Sequence, residues 1–197
     1  MEPHARPQPG ESLPALVDRL VASYGVDART HRIDQQFLPS RRSIIDVCEL
    51  LLELTYPGYF GRMALSQQNI AAHVGELLPR LHALLADQIE QCLCFDCEIH
   101  RGGEGDCPEC NCEDRARGLT NAFLEQVPQV RALLADDVQA AYDGDPAATS
   151  AAEVILAYPA ILAITIHRYA HLLHTLGVPL LPRIMSEHAH FLTGIDI

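Results

Sequence analysis

The chain has 197 residues, nearly half of them apolar, so one medium domain or two small ones can bury a core without disulfides or metals. Its formal charge of −12, with Lys and Arg few and scattered, argues against a phosphate-backbone partner, and nucleic acid is not expected. MEPHARPQPGE lacks the basic start and apolar run of a secretory signal, and the most apolar stretch, Val154 to Ile166, is too short for a bilayer and carries Pro159, so a cytoplasmic protein without a membrane span is expected.

Residues 1–10 read as a disordered leader, and 11–91 as the first part of a helical domain. SLPALVDRLVASYG places Leu13, Leu16, Val17, Leu20 and Val21 at helical spacing, stopped by Gly25. Ser40 then caps RRSIIDVCELLLELTY, in which Ile44, Val47, Cys48, Leu51 and Leu54 share a face, so Cys48 is a core residue. TYPGYFG imposes a turn through Pro57, Gly58 and Gly61. From Ser66, a long amphipathic helix runs through Leu77, Leu81, Leu85 and Ile89, with Pro79 a predicted kink.

The segment from Cys92 to Cys112, CLCFDCEIHRGGEGDCPECNC, holds six of the seven cysteines, and 92–114 reads as a metal-binding insertion. In a reducing compartment, two CxxC pairs across a short loop suit tetrahedral zinc, with Cys94, Cys97, Cys107 and Cys110 as ligands and Cys92 and Cys112 as further candidates. An iron–sulfur cluster and a redox-active thiol pair are the alternatives. Asp96, Glu98, Glu104, Asp106 and Glu109 make the segment look too polar for a core. Zinc held by four thiolates has no open position, so its role would be structural.

Residues 115–197 form the second helical part. A helix from Leu119 is predicted to break at Pro128 and to end at DGDP, Asp143 to Pro146. Ser150 with Glu153 gives a capping-box signature ahead of one long helix closing at Gly177, and RIMSEHAHFL follows Pro179 and Pro182. No period-2 strand of useful length occurs, so the fold class is all-α. His167, His171 and His174 share one helical face, where core or interface packing is expected rather than a metal.

LPSRRSIIDVCELLLELTYPGYFG, DVQAAYDGDPAA, the HRYAH helix at His167 to His171, the PRI element and TGIDI occur in the order found in serine O-acetyltransferases, and the chain resembles the N-terminal helical domain of that family. The resemblance implies transfer of acetyl from acetyl-CoA to the hydroxyl of L-serine, toward cysteine. It also implies homo-oligomer assembly through the helical domain and O-acetylserine sulfhydrylase as a candidate partner. By resemblance, Asp145 binds the amino group of serine and Asp196 orients the catalytic histidine. That histidine, most of the acetyl-CoA site and the group holding the serine carboxylate belong to the family's left-handed β-helix of hexapeptide repeats. No such repeat stands in these 197 residues, so the chain alone is expected to be inactive. The alternative reading is a catalytically inactive, metal-stapled helical module for assembly or regulation.

Overall fold

The computed structural model describes residues 12–101 and 111–197, leaving the leader and Cys107 and Cys110 outside the described residues. Within them the all-α expectation holds: seven α-helices and one 3-10 turn are the regular elements, with a single isolated bridge between Pro57 and Phe60 in place of any strand. The chain divides into two units, Met1–Gln36 and Phe37–Ile197.

The first unit contains α1 (Leu13–Tyr24), with Pro14 in its first turn where no N–H is needed. None of its side chains is buried. A 3-10 turn, Ala28–Thr30, is started by Asp27, whose carboxylate accepts from the Arg29 backbone N–H at 3.0 Å and pairs with its guanidinium at 2.7 Å.

The second unit is built from α2 (Arg41–Thr55), α3 (Ile70–Arg101), α4 (Cys112–Gly144), α5 (Ala151–Ala157), α6 (Pro159–Thr175) and α7 (Leu181–Thr193). Ser40 caps α2 by accepting from the Ser43 N–H at 3.2 Å, and its own N–H donates to the buried Gln88 on α3 at 2.7 Å. Ile44, Val47, Cys48 and Leu51 of α2 face a core shared with Leu81, Leu85 and Ile89 of α3, Phe123 and Leu134 of α4, Tyr169 and Leu173 of α6 and Met185 of α7. Each such fully buried side chain contributes roughly 1.5–3 kcal/mol relative to exposure. A smaller cluster around Tyr56, Val138, Val154 and Ile161 seats α5 beside the bend that follows it.

Five helix boundaries differ from expectation. The third helix begins at Ile70, because the Asn69 side chain closes a turn by accepting from the Ser66 N–H at 2.7 Å and donating to Ala64 O at 3.1 Å. It then continues through Cys92, Cys94 and Cys97 to Arg101, so half of the predicted insertion is helix. The fourth begins at Cys112 and passes Pro128 without ending, since an exposed helical proline removes one backbone hydrogen bond and the flanking turns hold. The predicted Ser150–Gly177 helix is two, α5 and α6, bent by 77° at Tyr158–Pro159. No single described helix is long and apolar enough to cross a membrane.

Three polar contacts fix α6 within the second unit, one of them between the Tyr56 hydroxyl and Thr165 Oγ1 at 3.0 Å. Arg168 holds Asp137 of α4 by two parallel bonds, Nε to Oδ2 at 2.5 Å and a terminal nitrogen to Oδ1 at 2.7 Å. The Tyr169 hydroxyl meets Thr55 Oγ1 of α2 at 2.8 Å, deep in the core.

Candidate functional site

The bend between α5 and α6 carries the best-formed polar site. α4 ends at Gly144, and Asp145 turns the chain by accepting the Ala147 N–H at 2.9 Å, the Asx arrangement that aspartate favours in turns. Its other oxygen accepts from the Tyr158 hydroxyl at 2.5 Å. Pro159 opens α6, so Tyr158 sits at the corner, outside both helices, and its phenol reaches back thirteen residues. The Tyr158 bond, followed by the Ala147 N–H, holds the Asp145 carboxyl below the usual carboxylate range. The same bond, with burial and the nearby negative charge, pushes the Tyr158 phenol up to about 12.

The neighbouring turn is braced in the same manner. Ser150 Oγ accepts the Glu153 N–H at 3.1 Å as the capping signature requires. The return half differs, because the Glu153 carboxylate accepts from Thr149, at 2.8 Å from its N–H and 2.5 Å from its hydroxyl. Asp145 is thus an ionised carboxylate of fixed orientation beside a second one. Each oxygen of a carboxylate has two lone pairs, so an ammonium can still bind at Asp145. Sequence reasoning missed Tyr158. Its signal was Pro159, which forces the residue before it out of helical geometry.

Asp196 lies beyond α7, exposed, with no side-chain hydrogen bond among the described residues and none to Asp145. Gly194, at φ 71°, ends α7, and Ile195 N–H donates to Thr193 Oγ1 at 3.1 Å. Ile195 and Ile197 pack in a small hollow with His167, Ala163 and Ala189. His167, His171 and His174 stand along α6 with ring centroids 6.0 and 6.4 Å apart; the first two rings are stacked, and His171 and His174 are exposed. Burial, followed by the nearness of His171 and Arg168, pushes His167 below the ordinary imidazole range.

The cysteines separate into two groups. Cys92, fully buried, continues the apolar stripe of α3 into the core near Leu181, and burial pushes its thiol up to about 12. This corrects the expectation that the segment is too polar for a core: Cys92 and Cys112 are both core residues. Cys94 and Cys97, one helical turn apart on α3, are half-buried, and Cys94 faces Cys112 at the start of α4. Burial, then Cys112, push the Cys94 thiol up to about 12. The pair at Cys94 and Cys97 is therefore presented by a helix, not by a knuckle turn. Among the described residues, no three His, Cys, Asp or Glu side chains are placed to hold a metal ion.

No sequence-family model matches the chain. It is 40% identical over 169 residues to a plasmid serine acetyltransferase of Synechococcus elongatus, a match covering 85% of this chain and 52% of the relative. A serine acetyltransferase of Synechocystis is 48% identical over 61 residues, 31% of this chain and 24% of that one. Among solved structures, serine acetyltransferase isoform 3 of Entamoeba histolytica, in complex with cysteine, superposes with a TM-score of 0.59 at 28% identity, covering 91% of this chain and 56% of that one. Serine acetyltransferase 1 of the same organism, in complex with L-cysteine, shares the fold with a TM-score of 0.58 at 24% identity. The chain spans about half the length of the Synechococcus relative and of these structures. Over this all-helical region, the chain is similar in sequence and in fold to serine acetyltransferases.

Proposed function

We propose that this chain is the helical part of a serine O-acetyltransferase, contributing subunit assembly and part of the site for L-serine. The observation that carries the reading is the 40% identity over 169 residues to a protein of that name. In this account, Asp145 receives the ammonium of serine. Its carboxylate is ionised and held by the Tyr158 hydroxyl and the Ala147 N–H, so the salt-bridging geometry exists before substrate arrives.

The reaction also needs parts that the resemblance assigns to the β-helix. A histidine takes the proton from the serine hydroxyl, the serine oxygen bonds to the acetyl carbon, and the thiolate of CoA leaves. Asp196 serves this step by fixing the tautomer of that histidine and stabilising its imidazolium, so it is a positioning group rather than a base. The 197-residue polypeptide by itself lacks the base and most of the acetyl-CoA site and does not turn over. Assembly is as a homo-oligomer, and O-acetylserine sulfhydrylase is the candidate partner of the complete enzyme. The reading as an inactive helical module has less support, because the matches at both levels are to proteins named for the transferase.

A structural zinc at the α3–α4 tip completes the proposal. Support comes from Cys94 facing Cys112 across the hairpin, with Cys97 one helical turn from Cys94 and Cys107 and Cys110 of the CPEC pair close by in sequence. Cys112, at the edge of the core and facing Cys94, fits a ligand set better than Cys92, which is 0% exposed. Bound there, the metal would supply deprotonation of these thiols and a cross-link between the helices.

The test of the serine role is kinetic. With this chain joined to the β-helix region of the Synechococcus relative, Asp145→Asn should raise KM for serine at least about tenfold and leave KM for acetyl-CoA unchanged. An unchanged serine KM would remove Asp145 from the site.

A further inference from the structure

Between α2, α3 and α4 lies a cleft of about 400 Å³ that the reaction above does not use. Its floor is apolar, from Leu54, Leu77, Leu78 and Val127, and its lining contains two opposite charges, Glu53 of α2 and Arg131 of α4. Both are anchored. The Glu53 side chain, 16% exposed, accepts the Arg62 N–H at 2.9 Å. It occupies the place of a side chain at residue 61: a Cβ there would fall 2.0 Å from Glu53 Cδ, and Gly61 adopts φ +65°. Only glycine allows the carboxylate this position.

Arg131 donates its Nε to Thr55 O at 2.9 Å, which steadies the guanidinium, and no carboxylate pairs with it among the described residues. Behind Glu53 stands His73, 4% exposed. Its Nε2 lies 3.3 Å from Glu53 Oε1 but out of line for a hydrogen bond, and it has no other partner. A buried ring nitrogen left unpaired is uncommon in native proteins and calls for an explanation such as a missing ligand group.

A cavity of this size, mostly apolar with a few convergent polar groups, has the usual form of a small-molecule site. Two opposite charges lining an apolar pocket match a zwitterion with an apolar body. We propose that this cleft binds a free α-amino acid with a branched apolar side chain, its ammonium donating to Glu53 and its carboxylate accepting from Arg131. A carboxylic acid or an amine of the same shape answers only one of the two charges. The site is formed by this chain alone and stands or falls independently of the acetyl-transfer reading.

The experiment is calorimetric titration of the 197-residue chain with L-leucine, 4-methylpentanoate and 3-methylbutylamine, alongside amide shift mapping by NMR. Leucine is expected to bind, with each truncated analogue at least about tenfold weaker, and to shift amides of Glu53, His73 and Arg131. Glu53→Gln, which keeps an acceptor for the Arg62 N–H, should weaken leucine at least about tenfold and leave 4-methylpentanoate unchanged; Arg131→Gln should do so for leucine while leaving the amine unchanged. If either variant loses its helical circular dichroism, the analogue ranking on the unaltered chain decides. No binding by leucine up to about 10 mM, equal binding of leucine and its truncated analogues, or shifts elsewhere in the molecule would overturn the proposal.

Discussion

Thr55 and Tyr169 make a polar lock inside an apolar core, and the structure fixes which atom donates. The Thr55 hydroxyl gives its only proton to Leu51 O at 2.6 Å, so the 2.8 Å contact with Tyr169 is donated by the phenol. The two partners are therefore unequal. Thr55→Val keeps the shape and removes the acceptor, leaving a phenol hydroxyl stranded on a residue that is 0% exposed. An unsatisfied buried group of this kind costs about 1–3 kcal/mol. Tyr169→Phe removes the donor, while Thr55 keeps its bond to Leu51, and the expected loss is smaller, about 0.5–1.5 kcal/mol. With both polar groups gone, the double variant should lose no more than Thr55→Val alone, a coupling of about 1 kcal/mol. Urea unfolding followed by circular dichroism measures all three, and thermal midpoints should move about 2–4 °C per kcal/mol. A larger loss for Tyr169→Phe than for Thr55→Val, or losses that simply add, would refute the donor assignment and the idea that this contact couples α2 to α6.

Three further outcomes are expected. Tyr158→Phe removes the main bond holding the Asp145 carboxyl below its ordinary range, so the Asp145 titration seen by carbon-detected NMR should move up in pH; no movement would mean that the phenol does not set this site. Burial, with Arg41 adding, pushes His188 below the ordinary imidazole range, against a smaller opposite effect from Glu49. The unfolded chain then binds a proton that the folded chain resists, so stability present above the unfolded value of about 6.5 is lost as pH falls through it toward the folded value. The thermal midpoint should fall between about pH 7 and pH 5, and His188→Gln should flatten that fall. For the cysteine tip, about one zinc per chain should survive dialysis, Cys94→Ser and Cys112→Ser should lower it, and Cys92→Ser should not. Visible absorption bands would point to iron–sulfur, and metal-free protein of unchanged melting behaviour would end the staple proposal.

The bulk of the fold was legible because it follows from apolar spacing. Ile44, Val47, Cys48 and Leu51 recur at helical period, and they are the face that α2 buries. The same signal ran further than it was followed: Leu81, Leu85, Ile89 and Cys92 continue one stripe, but the acids between the cysteines suggested a loop. Of these, Asp96 and Glu98 lie within α3 at positions that are not buried, where polarity is expected of an amphipathic helix. Pro128 was overread because a proline at an exposed position removes only one bond from a helix that packing maintains. Asp145 was reached through the family motif, whereas Tyr158 was hidden inside a run that looked continuously helical. Contacts such as Arg168 with Asp137, or Arg131 with Thr55 O, join residues far apart in sequence and carry no local pattern to read.

The central claim is that these helices serve acetyl transfer to serine. The most direct measurement is release of CoA thiol from acetyl-CoA in the presence of L-serine, made on the 197-residue chain and on the same chain joined after Ile197 to the region that follows the match in the Synechococcus relative. Turnover by the joined protein, absent from the chain alone and dependent on Asp145, is the predicted result. A joined protein that folds and assembles yet forms no O-acetylserine, or turnover by the 197 residues alone, would contradict the account.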